Sequence, residues 1–198
     1  RITHANARNT EMGFVENKGQ LTGQDGNPVP DVFFKSEGTG PAIYITSKGL
    51  TYVFDMPGEI VSGKEEEASK VSMNWSKVNM LLEGAHIRKE NIVCEDELPG
   101  YSNFYYPHCP MGILNVKSYH KITIKNIYPG IDWVFNADNK KGLAHDFVIH
   151  PGAHTDMLRI RYEGTKEEGS RDKKNVLKIA TDFGTIYEGG LKVYRQDN

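Results

Sequence analysis

Short runs of alternating apolar and polar residues recur along most of the chain, and turn residues separate them. Residues 157–163 are an example, because Leu158, Ile160 and Tyr162 alternate with Arg159 and charged neighbours. A period of two residues is typical of a half-buried β-strand, whereas a helical period is almost absent. The pattern therefore predicts an all-β, antiparallel β-sandwich and disfavours alternating helices and strands.

The predicted strands are rich in β-branched and aromatic residues, and Gly, Pro, Asn, Asp and Ser mark their ends. They cover residues 32–35, 42–46, 50–54, 78–82, 91–95, 101–106, 115–119, 121–127, 132–136, 143–150, 157–163, 175–181, 185–188 and 191–195. Three polar stretches are predicted to be surface loops, at residues 23–30, 57–72 and 163–174. We expect one domain over residues 1–198, either one large sandwich or two packed halves with a weak subdivision near 85–100.

Charge and motifs exclude several classes of function. The net charge is −2 and the 24 basic residues are scattered, so a nucleic-acid partner is not expected. No apolar run is long enough to span a bilayer. The sequence lacks the GxSxG, HExxH, P-loop and GxGxxG motifs, so no catalytic residue and no cofactor is predicted.

The segment 144–154 contains three histidines and Asp146, a composition that suggests a metal site. Strand geometry argues against one, because His145 and His150 point to opposite faces. Asp146 and His150 share a face but lie about 13 Å apart along the strand, too far to bind one ion. No metal site is therefore predicted, and the loop 138–142 is interpreted as a hairpin turn rather than a calcium site.

Periodicity gives the same strand a structural role. We expect His145 to be buried and neutral beside Phe147 and Ile149. Asp146 is expected to accept backbone N–H groups near the turn at residues 128–132. On this interpretation His145→Phe is tolerated, whereas Asp146→Ala costs about 1–3 kcal/mol of stability.

The aromatic residues give the candidate binding sites. Exposed rings present flat apolar faces that suit sugar rings or a protein partner. Tyr101 and Tyr105 lie in an aromatic segment, and Trp75 lies beside a charged loop, so these three are candidate ligand-binding residues. The competing interpretation is that the rings fill the core, which we favour for the tyrosines and weigh evenly for Trp75.

Two cysteines, Cys94 and Cys109, lie fifteen positions apart. They are either two separate thiols or one disulfide, which would contribute about 3 kcal/mol for a loop of this length. Pairing cannot be deduced from the sequence, so both alternatives stay open.

Three blocks of sequence resemble one family. They are FVENKGQ at residues 14–20, the segment 115–132 ending in NIYPGID, and the segment 146–164 containing DFV, HPGA and IRYEG. Together they resemble the uncharacterised N-terminal domain of large exported bacterial proteins, of a type found in Bacteroidota. Such proteins often continue into β-propeller-type repeats, PKD-like or other Ig-like domains, and a C-terminal sorting domain.

The resemblance implies a module of a secreted or cell-surface protein whose partners are other domains of the same longer chain, and it supplies no activity. We therefore expect a non-catalytic structural or interaction module, in which Asp132 and Asp146 hold buried backbone amides. The aromatic residues favour a carbohydrate-binding module as the first alternative, with a glycan or protein ligand. A glycoside hydrolase-like enzyme using Asp132 and Asp146 is the second, and it needs the two carboxylates about 5–10 Å apart in a cleft.

Overall fold

The structure is a computed structural model that describes residues 11–38, 40–61, 70–140, 142–166, 169–171, 176–182 and 184–189. Within these ranges the regular structure is β-strand, apart from two short 3-10 turns at Lys89–Asn91 and Thr155–Met157. The sheets are antiparallel. The predicted all-β antiparallel class is confirmed, whereas its arrangement as a sandwich stays a prediction.

The strands are numbered in chain order. They are β1 (Gly13–Glu16), β2 (Val32–Glu37), β3 (Ala42–Thr46), β4 (Gly49–Val61), β5 (Lys70–Leu82), β6 (Ile92–Glu97), β7 (Ser102–Tyr106), β8 (Cys109–Val116), β9 (Ser118–Tyr128), β10 (Ile131–Asp138), β11 (Gly142–Ile149), β12 (Ile160–Glu163), β13 (Ser170–Arg171), β14 (Leu177–Thr181) and β15 (Gly184–Glu188). No helix in the described part of the chain is long and apolar enough to cross a membrane.

The chain divides into two compact units. The first contains Arg1–Tyr52 and Met80–Arg161, and the second contains Val53–Asn79 and Tyr162–Asn198. In the first unit the strands are hydrogen-bonded in the order β11-β10-β9-β1-β2-β3, β6 also pairs with β9, and β7 pairs with β8. In the second unit β13, β14 and β15 form a small sheet. The single-domain organisation over residues 1–198 stays a prediction.

Strand β10 shows the predicted alternation most clearly. Ile131, Trp133, Phe135 and Ala137 are buried, and the residues between them are half-buried. Phe14 of β1 packs edge-on against Phe135, with ring centroids 6.0 Å apart. Burying such side chains contributes about 1.5–3 kcal/mol each, so this face is the stabilising core of the first unit.

Several predicted boundaries are wrong. The strand expected at residues 115–119 is interrupted at Lys117, and β13 lies within the loop expected at residues 163–174. The strand expected at residues 157–163 begins only at Ile160, because Thr155–Met157 forms a 3-10 turn, and Ile160 is exposed rather than buried. The loop expected at residues 57–72 is shorter, since β4 continues to Val61 and β5 begins at Lys70. The strand expected at residues 191–195 lies outside the described residues.

Candidate functional site

The candidate functional site is a hairpin made by β7 and β8, with Tyr101 directly before it. We call residues 101–116 the aromatic hairpin. Its exposed large side chains are Tyr101, Tyr105, Tyr106, Met111 and Leu114. These side chains are apolar and exposed on one element, so this hairpin is the candidate binding surface.

The aromatic hairpin is also uncharged. No Asp, Glu, Lys or Arg occurs from residue 98 to residue 116, although 25% of the chain is charged. His108 is the only side chain in this segment that can carry a positive charge. The segment itself therefore supplies no Asp, Glu, Lys or Arg side chain to an ionic ligand. The charged groups beside it include Lys18, which donates to the Asn115 carbonyl, and the Lys117–Glu97 ion pair.

Tyr105 rests on the backbone of β8 at Gly112. A Cβ atom added to Gly112 would lie 2.6 Å from Cε1 of Tyr105, which is too close for real atoms. Gly112 also has a φ of 81°, in the left-handed region that glycine adopts most easily. The missing side chain thus lets the tyrosine ring lie over the strand, while 62% of Tyr105 stays exposed.

From the alternation of an extended chain we infer that Tyr101, directly before β7, lies on the side of Tyr105, although register shifts on both sides of Phe104 interrupt the pairing of β7 with β8. Side chains four residues apart in an extended chain point to the same side and lie about 13 Å apart. Tyr101 is also 62% exposed, and Asn103 lies midway between the two tyrosines in sequence. The Asn103 Oδ1 accepts the backbone N–H of Asn115 at 2.9 Å, which fixes the amide group. We call Tyr101, Asn103 and Tyr105 the tyrosine face.

The opposite face of the hairpin carries a stack of rings. Phe104 and Tyr106 lie 6.0 Å apart at an interplanar angle of 17°, and Tyr106 and His108 lie 5.3 Å apart at 10°. Beside this stack is an open groove of about 400 Å³, lined by Gln20, Thr22, Gly26, Tyr106, Pro107 and His108. The rings of this stack face one another, whereas Tyr101 and Tyr105 of the tyrosine face are each 62% exposed.

The aromatic hairpin is anchored to the loop that follows β1. Lys18 Nζ donates to the backbone carbonyl of Asn115 at 2.8 Å. The His108 ring also contacts the carbonyl of Gly19, and since a carbonyl only accepts, Nε2 at 3.2 Å must carry the proton. The FVENKGQ segment, which sequence analysis singled out, therefore holds the hairpin in place.

Asn17 organises this loop from the inside. Its buried side chain donates through Nδ2 to the carbonyls of Val29, at 3.0 Å, and Val32, at 2.7 Å. Its Oδ1 accepts the backbone N–H groups of Gly19, at 2.9 Å, and Leu21, at 3.4 Å. One side chain thus satisfies four backbone groups, so the motif has a structural function.

The structure places the three predicted ligand-binding residues at the surface. Tyr101 and Tyr105 are exposed on one hairpin, so the interpretation that they fill a core is wrong. Trp75 is 54% exposed and belongs to the second unit. Sequence analysis missed Gly112 and His108, although the absence of charge from residue 98 to 116 would have drawn attention to this segment.

In the histidine-rich segment 144–154, His145 has a structural contact. The described residues contain no group of three or more His, Cys, Asp or Glu that could hold a metal ion. His145 is half-buried rather than buried, and its Nδ1 accepts the indole N–H of the fully buried Trp133 at 3.2 Å. An indole nitrogen only donates, so Nδ1 is unprotonated and His145 is neutral in this arrangement.

The sequence predicts that Asp132 and Asp146 both accept backbone amides, and Asp132 does so. Asp146 is exposed, whereas Asp132 accepts the backbone N–H of Asn126 at 2.8 Å and contacts Nε2 of His150 at 3.0 Å. Asn126 has a φ of 51° beside a β-bulge in the pairing of β9 with β10. Asp132 therefore stabilises a bulge that a regular ladder cannot hydrogen-bond fully.

The pKa of Asp132 reflects these contacts. Burial, the largest influence, raises it, but the Asn126 N–H and His150 outweigh burial, so the pKa lies below its usual value of 3.8. A lowered pKa in the folded state means that the ionised carboxylate stabilises the fold above pH 3.8. This contribution is lost as the pH falls through the folded-state pKa.

Asp132→Asn is therefore expected to cost about 1 kcal/mol at pH 6 and progressively less below pH 3.8. Urea unfolding of both proteins at several pH values measures the difference. Asp156→Asn, in the exposed turn Thr155–Met157, is the control. A difference that is the same at pH 6 and pH 3 would contradict the role of the carboxylate.

Both cysteines are free thiols in the structure. Cys94 is exposed, and partial desolvation of its thiol, with the Glu16 carboxylate second, raises its pKa to about 11. A thiol with a raised pKa is mostly protonated at neutral pH and is a poor nucleophile. Cys94 therefore lacks the low pKa that reactive cysteines show.

Cys94 is expected to react slowly with iodoacetamide. The fraction of Cys94 present as thiolate is roughly a hundredfold lower than for an ordinary thiol. A thiolate with a higher pKa is a stronger nucleophile, which recovers part of the rate, so the reaction is expected to be about tenfold slower. The measurement compares the Cys109→Ser variant, folded and in urea, at pH 8. Equal rates in the two states would show that the fold does not suppress the thiolate.

Comparison with known proteins places the chain in a family. The model of a domain of unknown function, DUF7948, matches residues 14–198. No curated protein and no solved structure matches the chain. The match begins at Phe14, the first residue of the FVENKGQ segment, and includes the whole aromatic hairpin. The chain therefore belongs to the DUF7948 family.

Proposed function

We propose that this domain is a non-catalytic interaction module of an exported bacterial surface protein, and that the aromatic hairpin is its binding surface. The observation that carries the proposal is the set of exposed aromatic side chains on an element that the FVENKGQ loop contacts through two hydrogen bonds. Other domains of the same longer chain are the expected neighbours.

The hydrolase alternative would use Asp132 and Asp146. Asp132 accepts the Asn126 N–H at a β-bulge and contacts His150, which favours a role in the fold, and Asp146 is exposed. Trp75 offers a separate exposed ring in the second unit, and its role in binding stays a prediction.

Labelling of intact cells tests the proposed location. A membrane-impermeant biotin reagent applied to the producing bacterium is expected to label lysines of this domain before lysis, with a cytoplasmic protein of the same cells as the control. Labelling only after lysis would contradict an exported surface module.

A further inference from the structure

We infer that the tyrosine face binds neutral polysaccharides, through stacking of sugar rings on Tyr101 and Tyr105. This inference rests on the proposed function, because it names the ligand class of the same hairpin. Three properties of the surface carry it: exposed aromatic rings, the absence of charge, and an exposed amide group midway between the two tyrosines in sequence.

The rings match the apolar side of a sugar. A pyranose ring presents C–H groups on its faces and hydroxyl groups around its edge. Tyr105 lies over the backbone at Gly112 and is 62% exposed. Tyr101 is four residues away, which is about 13 Å along an extended chain. Two rings at that separation reach different sugar units of one chain, so the ligand is a polymer or an oligomer rather than a monosaccharide.

The charge of the surface selects a neutral ligand. Acidic polysaccharides need basic partners, and anionic membranes attract clusters of Lys and Arg. Neither requirement is met between residues 98 and 116, where no Asp, Glu, Lys or Arg occurs. The sugar hydroxyl groups instead need neutral hydrogen-bonding groups, and Asn103, midway between the two tyrosines in sequence, has an exposed side-chain amide whose Oδ1 accepts the Asn115 N–H.

Affinity electrophoresis tests the inference with the intact domain. The gels contain neutral glucans, mannans, xylans or galactans, and a parallel set contains polygalacturonate as an acidic polymer. At least one neutral glycan is expected to retard the protein. Tyr101→Ala and Tyr105→Ala are each expected to weaken that affinity by about tenfold or more, because each removes one stacking ring. Tyr187→Ala, which removes an equally exposed tyrosine of β15, is the matched control and leaves the affinity unchanged.

A pair of glycine variants tests the geometry of the ring. Gly112→Ala introduces a Cβ that collides with Tyr105, whereas the Cβ that Gly100→Ala introduces would have no other atom within 4 Å. Both glycines have positive φ, at 81° and 88°, so the two variants carry similar backbone strain. Only Gly112→Ala is expected to weaken glycan binding, and equal losses in the two variants would contradict stacking on a ring seated at Gly112.

The other outcomes separate this inference from the proposed function. Three results would contradict a neutral glycan as the ligand but remain consistent with an interaction module. They are tyrosine-dependent binding to polygalacturonate, tyrosine-dependent binding to phosphatidylcholine vesicles, and tyrosine-dependent self-association in light scattering. Absence of any tyrosine-dependent binding would overturn the inference, and the cell-labelling result would then decide separately whether the module is exported.

Discussion

Asn17→Ala is expected to lower the free energy of unfolding by about 2–3 kcal/mol, because removal of this side chain leaves buried backbone groups without a hydrogen-bond partner. The variant loses the donors to the Val29 and Val32 carbonyls and the acceptor for two N–H groups. Urea unfolding followed by tryptophan fluorescence measures the loss. Asn17→Asp is expected to cost at least as much, because a carboxylate would face two carbonyl oxygens.

The control for this prediction is Asn74→Ala, which truncates an exposed asparagine and is expected to change stability by less than about 0.5 kcal/mol. An Asn17→Ala protein as stable as Asn74→Ala would show that the loop after β1 does not depend on the Asn17 side chain.

His145→Phe is expected to destabilise the fold by about 1–3 kcal/mol, because the buried indole N–H of Trp133 loses its acceptor. This reverses the expectation from sequence that the substitution is tolerated. The same substitution in a Trp133→Phe background is expected to cost much less, since no indole donor remains to be satisfied.

His154→Phe serves as the control, because His154 is an exposed histidine of the same segment. Equal costs of His145→Phe with and without Trp133 would mean that packing around the ring, rather than the indole hydrogen bond, holds His145 in place.

Sequence pattern predicted the strands whose side chains alternate between core and surface. Residues 132–136 were predicted correctly as part of β10, because Trp133 and Phe135 are buried and the residues between them are not. β1 and most of β8 were missed. β1 is only four residues long, and β8 contains Pro110 and Gly112, which are uncommon in strand interiors.

The candidate site was predictable in part. Tyr101 and Tyr105 were recognised as candidates, but period-two patterning does not say which face of a two-stranded hairpin meets a core. The roles of Asp132 and His145 depend on Asn126 and Trp133, which adjacent positions in β9 and β10 supply. Such contacts follow from strand register, which one sequence leaves undetermined.

NMR can locate the binding of a neutral glycan on the tyrosine face residue by residue. The ¹⁵N-labelled domain is titrated with an oligosaccharide of the glycan that retards it in the gel. Shift changes are expected to be concentrated on the backbone amides of Tyr101, Asn103, Tyr105, Gly112 and Leu114. Changes confined to the groove at Gln20 and Thr22, or to the strand around Trp75, would contradict it.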